Sequence, residues 1–270
     1  MHKQIVGLCH SVQHTSHHLA ELAGVPFDEV TFLGAGVNHQ AFILRLERDG
    51  EDLYPRVDAA IDADPEQLRR VRVQMYKRLG YFPTESSEHG AEYLPWYMND
   101  PAAIERLRIF VGDYVQRSEE NLVEYEQARE QLAKGEPFAI ERSLEYASLI
   151  VHSMVTGRER VIYGNVQNAG LLPDLPARSA VEVPCVVDRT GVRPTPVADY
   201  PPQLAALNRT FLNVADLTVR AALEGDVRHV HHAALLDPNA ASSLSPEAIE
   251  AMVDELLDAH AERLPAGLRR

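Results

Sequence analysis

Cys9 and His39 are a thiol and an imidazole on different segments of the chain, types that a compact fold can gather around a metal of borderline softness such as zinc or iron. Two ligands are few, and on the residues alone the pair reads first as a packed cysteine and a satisfied histidine. Histidine is unevenly spread: His2, His10, His14, His17, His18 and His39 put half of the chain's 12 in the first forty positions, which invites metal or acid–base chemistry. A second cluster, Glu85, Ser86, Ser87, Glu88 and His89, holds types that move protons, though by itself it reads first as a solvated helix cap. GAGVNH at 34–39 approaches the dinucleotide fingerprint and fails it. The third glycine is replaced by His39, and the segment leads into a strand, so no helix N-terminus is offered to a pyrophosphate.

Several elements must position these groups. Val12, Leu19 and Leu22 recur at near-helical spacing before Gly24 and Pro26, predicting a helix over 8–23 with Cys9 in its first turn. There the positive end of the helix dipole favours the thiolate. Strands are expected at 30–36 and on either side of an Asp49, Gly50 turn within 41–54, with Asn38 and His39 at the entrance to the second. Asp64 as cap, Pro65 at the first helical position and Gly80 past the end predict one helix over 65–79. A loop at 80–97 follows, then helical patterns at 101–134 and 144–156, strands VIYGNV and VEVPCVV, and helices near 201–224 and 246–262. The class is α+β with helices in the majority, and no repeat or linker divides the 270 residues, so 1–270 is read as one domain.

Hydrophobic residues make up 45% of the chain, enough for a sizeable core. A net charge of −14 repels phosphate backbones and anionic lipid, which argues against nucleic acid and membrane partners. Two cysteines, no signal-like apolar stretch and no long apolar run fit a reducing, cytoplasmic location.

GLCHSVQHT at 7–15, GVNHQAF at 36–42, GYFPTESSEHGAEYLPWY at 80–97, and GNVQNAGLLPDLP with VEVPCVVDRTGVRP at 164–194 resemble, in order, consecutive blocks of the family 4 glycoside hydrolases. The segment LLDPNAASSLSPEAIEAMVDELLDAH near the end resembles the family's C-terminal helix. The CHS and TESSEH versions are most similar to the α-galactosidase and α-galacturonidase branch, not the one acting on 6-phosphoglycosides. His14 and Phe42 depart from the glycine and tryptophan usual in the family.

The resemblance implies the helix-rich, lactate dehydrogenase C-terminal-like domain of these enzymes, with NAD and Mn2+ as cofactors. In such a mechanism the sugar is oxidised at C3, the acidified C2 proton is removed, the glycosidic oxygen leaves from C1, water adds, and the ketone is reduced back. It assigns Cys9 and His39 to the metal, His10 to proton donation and Asn38 to sugar hydroxyls. Tyr93 is the candidate base, with Glu88 and His89 behind it, and Asn165 and Asn168 resemble asparagines near the family's site. Family members begin with a Rossmann domain, and this chain starts a few residues before Cys9, so the NAD-binding domain is expected to be absent. The expected activity is therefore that of an α-glycosidase whose C-terminal part is inactive alone, with a homo-oligomer or a separate Rossmann chain as partner. The alternative is a non-catalytic sugar- or metal-binding module. Should hydrolysis need no NAD, Glu85 and Glu88 would be reconsidered as a conventional carboxylate pair.

Overall fold

The computed structural model describes residues 5–139 and 145–269; His2 and the Glu88 side chain lie outside the described set. The first helix, α1 (Ser11–Ala23), buries Val12, Leu19, Ala20 and Ala23 along one face and ends at Gly24 in the left-handed region. It is followed by the hairpin of β1 (Thr31–Val37) and β2 (Gln40–Arg48), in which Val37 pairs with Gln40 and leaves Asn38 and His39 as the turn. Asp49 and Gly50, both at positive φ, turn the chain into β3 (Glu51–Asp52), as the sequence predicts.

The third strand is only those two residues, and the chain continues into a helix that the alternating pattern hides, α2 (Tyr54–Asp62), with Pro55 in its first turn. The single helix expected over 65–79 is split into α3 (Pro65–Leu68) and α4 (Val71–Leu79), because Arg70 is extended at ψ 137°. Within the expected loop lie β4 (Phe82–Pro83) and α5 (Ser87–Glu92), whose first turn is capped by Ser86 Oγ accepting the His89 N–H. Positive φ at Arg108 and Gly112 divides the next predicted helix into α6 (Pro101–Leu107) and α7 (Asp113–Lys134).

After α8 (Ala147–Thr156) come β5 (Arg160–Gln167), β6 (Ala180–Asp188) and an unanticipated short β7 (Gly191–Pro194). The long α9 (Pro202–Glu224) leads to two helices that the sequence reading passed over, α10 (Arg228–Leu235) and α11 (Pro238–Ser243), and to α12 (Pro246–Ala259), opened by Ser245 and Pro246 as expected.

The seven strands form one antiparallel sheet in the order β3-β2-β1-β6-β5, with β4 also on β2 and β7 also on β6. An α+β architecture results, and α1 lies close over the sheet. A Cβ on Gly34 would sit 2.8 Å from Val12, so only glycine allows that approach. Phe42, Ile43, Leu46, Phe82, Ile162 and Leu204 are fully buried in the shared core. In the second half of the molecule α9 packs on β1, and α10 on α9 and α12. Among the described residues no helix is long and apolar enough to cross a membrane.

Candidate functional site

His39 occupies the second position of the β1–β2 turn at φ +66°, a conformation that costs a non-glycine residue about 1 kcal/mol or more and is kept only where the surroundings enforce it. Its imidazole is one wall of a pocket of about 380 Å³. Cys9, His10 and His14 supply a second wall from the start of α1, and Thr84, Glu85 and His89 a third from β4 and α5, with Arg72 of α4 also present. The metal pair and the proton donor expected from the sequence therefore meet in one cavity.

A file of hydroxyl groups ties these walls together. The Cys9 thiol donates to Ser11 Oγ at 3.3 Å, Ser11 Oγ to Thr84 Oγ1 at 3.3 Å, and Thr84 Oγ1 to the Ala41 carbonyl of β2 at 3.1 Å. Thr15 Oγ1 donates to the Thr84 carbonyl at 2.7 Å and accepts from Arg72 at 3.1 Å. The segment joining β4 to α5 is thus pinned to α1, which fixes Glu85 and His89 relative to Cys9.

Cys9 departs from the expectation. It precedes α1, with His10 as the N-cap, and its thiol pKa is raised, first by burial and further by the carboxylates of Glu182 and Glu85, against the lowering effect of Ser11. The helix-dipole argument fails because the residue lies outside the first turn and faces acidic groups. Those groups bear on whether a divalent cation fits. A half-buried thiol, an imidazole and nearby carboxylates form a donor set that favours positive charge, and a bound cation would reverse the thiol's preference for its proton. Among the described residues no three His, Cys, Asp or Glu side chains converge as a metal-binding set, so Cys9 and His39 would leave most positions open to substrate and water.

Around His39 the geometry is specific. Nδ1 lies 2.8 Å from the Tyr93 hydroxyl, whereas Nε2 is 3.7 Å from Glu85 Oε2, too long for a hydrogen bond. Nε2 is therefore the nitrogen available to a metal, with Tyr93 orienting the ring through the other. The His89 ring stacks on His39 with centroids 5.4 Å apart, and its nitrogens face Glu85 and Glu92 at 3.7 and 3.8 Å. Tyr93, at the C-terminal end of α5, packs edge-on against Phe211, and its pKa is pushed up to about 12 by burial and then by Glu85, Glu92 and Asp237.

His10 is half exposed at the pocket rim, its Nδ1 3.0 Å from Glu145 and its ring 4.5 Å from that of His14. Because a carboxylate can only accept, Glu145 fixes the hydrogen on Nδ1 and leaves Nε2 for proton exchange. Asn38 is exposed beside His39 in the turn and is not part of the pocket wall. Asn168 is a structural residue: its amide group donates to the carbonyls of Leu172, Leu175 and Pro176, and its oxygen accepts the Leu172 N–H at 2.8 Å. Asn165 differs, with a buried Oδ1 that has no partner.

The sequence reading passed over Glu145, which pairs with His10, the hydroxyl file and Glu182. Only Glu182 carried a signal: it is the one charged residue in the otherwise apolar run VEVPCVV.

A sequence model of the Family 4 glycosyl hydrolase C-terminal domain matches residues 34–240. The chain is 38% identical over 264 residues to an α-galactosidase of Bacillus subtilis (strain 168), covering 96% of this chain and 61% of that one. It is 35% identical over 273 residues to an α-galactosidase of Rhizobium meliloti (strain 1021), covering 96% and 56%. Its fold matches a Thermotoga maritima 6-phospho-β-glucosidase solved with manganese, NAD+ and glucose-6-phosphate, with a TM-score of 0.71 at 19% identity over 95% of this chain and 60% of that one. The chain thus spans roughly three fifths of the length of these relatives.

Proposed function

The chain belongs to glycosyl hydrolase family 4 through this C-terminal domain, and from that premise we propose that it is the metal- and sugar-handling part of an α-galactosidase-like glycosidase. The meeting of Cys9, His10 and His39 in one pocket, with Tyr93 on the far nitrogen of His39, carries this reading. The galactoside preference is supported by the two α-galactosidase relatives.

Cys9 Sγ and His39 Nε2 would hold a divalent cation, Mn2+ by analogy with the Thermotoga enzyme. When bound, the metal supplies Lewis-acid stabilisation of negative charge on the sugar's C2 and C3 oxygens, and NAD supplies the hydride acceptor for C3. His10, oriented by Glu145, donates a proton to the departing glycosidic oxygen. Tyr93 takes the C2 proton as its phenolate: burial pushes the phenol's pKa up to about 12 in the chain alone, and a hydrogen bond accepted from His39 Nδ1–H, strengthened by a cation on Nε2, would draw it back down. Asn38, exposed beside His39 in the turn and outside the pocket wall, is assigned to sugar hydroxyls by the family resemblance alone.

The described sheet is antiparallel throughout and contains no β-α-β crossover for a dinucleotide, so NAD is held by protein outside these strands, on the same polypeptide or on a partner. Association with a partner or a second copy is supported by α7, none of whose residues is buried and which exposes Tyr114, Val115, Leu122, Val123, Tyr125 and Leu132.

Calorimetric titration with Mn2+ tests the site. The reduced wild-type chain should bind it weakly, and more tightly with a sugar diol present, while Cys9→Ala and His39→Ala should each abolish binding. Full affinity in both variants would rule the assignment out.

A further inference from the structure

Glu182 is the third residue of β6, with 0% exposure, and neither of its carboxylate oxygens has a hydrogen-bond partner among the described residues. Leaving such a group unsatisfied is costly, so a folded chain retains it only where something compensates. Its strand neighbours are Gly36 on β1 and Asn165 on β5, and Asn165 is bridged in turn to Gly7 by reciprocal backbone hydrogen bonds of 2.8 and 3.0 Å. Directly opposed residues on antiparallel strands share a face. Glu182 and Asn165 therefore project side by side, flanked on both sides by glycines that add no side chain to the row.

Asn165 Oδ1 is also buried without a partner, so the row presents three acceptor oxygens that no described donor satisfies. Gly7 stands two residues before Cys9, so this row is bonded to the segment that leads Cys9 into the pocket. The electrostatics agree with that placement: burial, and then the charge of Glu85 on the pocket wall, raise the Glu182 carboxyl to about 8, so it is held as a neutral acid that a nearby cation would ionise. Unsatisfied oxygens and an ionisable carboxyl behind a thiol and an imidazole lack one thing, a cation in front of them.

We propose that Glu182, with Asn165 beside it, is a positioning residue for a divalent cation held by Cys9 and His39: its buried carboxylate acts through Cys9 to favour the loaded site and makes the cation-free fold less stable. This rests on the metal reading of Cys9 and His39. Glu182→Gln keeps the shape and cannot ionise, so in EDTA at pH 9, above the Glu182 pKa of about 8, the variant should melt above wild type. Its Mn2+ affinity, measured by calorimetry on the whole 270-residue chain, should fall about 10- to 100-fold, and the rise in Tm on adding Mn2+ should shrink accordingly. Glu182→Asp, which keeps the charge, should retain more affinity than Glu182→Gln.

Should wild type bind Mn2+ while Glu182→Gln binds it equally well and gains the same Tm on loading, the proposal is overturned and Glu182 is merely structural. Failure of Glu182→Gln to fold in EDTA overturns it as well. Failure of wild type itself to bind Mn2+ refutes the reading of Cys9 and His39 instead, and this proposal with it.

Discussion

The two nitrogens of His39 have different surroundings, and the proposed function assigns them different jobs on that basis. Nδ1 is committed to Tyr93 at 2.8 Å, and Nε2 is free of hydrogen bonds on the pocket side. His10 shows the same division, with Nδ1 on Glu145. The two histidines should therefore fail differently when their partners are altered in an enzyme assembled with its NAD-binding part. Tyr93→Phe should lower kcat by about 10²–10⁴-fold, the usual contribution of a proton-transfer group, and raise the isotope effect for sugar deuterated at C2, because proton removal becomes limiting. His10→Ala should hurt substrates with basic leaving groups far more than p-nitrophenyl α-galactoside. Equal losses on both substrates for His10→Ala, or an unchanged isotope effect for Tyr93→Phe, would contradict these roles.

At the scale of elements, the loop after β5 is held by Asn168 from its base, with Ser179 Oγ donating to the Pro176 carbonyl and Arg209 of α9 to the Asp174 carbonyl. Asn168 satisfies three carbonyls and one N–H between Leu172 and Pro176, and it is fully buried. Asn168→Ala should cost about 2–3 kcal/mol, since the Leu172 N–H and the Leu175 carbonyl both lose their partner while the Leu172 and Pro176 carbonyls keep the N–H groups of Leu175 and Ser179, and it should leave Mn2+ affinity unchanged; urea denaturation beside calorimetry checks both. The sequence alone could not separate Asn168 from Asn165, because only the fold shows which amide is satisfied. Elements with strong punctuation were legible: the β1–β2–β3 region through Asp49 and Gly50, and the starts of α3, α9 and α12 through their prolines. Breaks made by ordinary residues were not, as at Arg70 and Arg108, whose backbone angles are set by tertiary packing and have no signature in residue type. The pocket's principal residues were legible for a different reason. Cys9, His10 and His39 came from motif resemblance, and spacing alone left them open to a packing role. Glu182 escaped notice because a single acid in an apolar strand becomes informative only when its oxygens are seen to lack partners.

At the scale of the molecule, a net charge of −14 surrounds the pocket, and under the proposed metal reading that acidic balance would help load the site instead of opposing it. The same helix-rich shell leaves the apolar residues of α7 in solvent, a surface suited to the association that the sequence reading expects. The central claim concerns the bond-breaking chemistry, and one measurement reaches it directly. With the chain joined to a dinucleotide-binding part of its family type and supplied with Mn2+ and NAD, p-nitrophenyl α-galactoside is hydrolysed in D2O and the released galactose is analysed by NMR. Removal and return of the C2 proton predicts deuterium at C2, on top of an absolute requirement for NAD. Galactose released with protium retained at C2, or hydrolysis by the 270-residue chain without NAD, would contradict the proposed function.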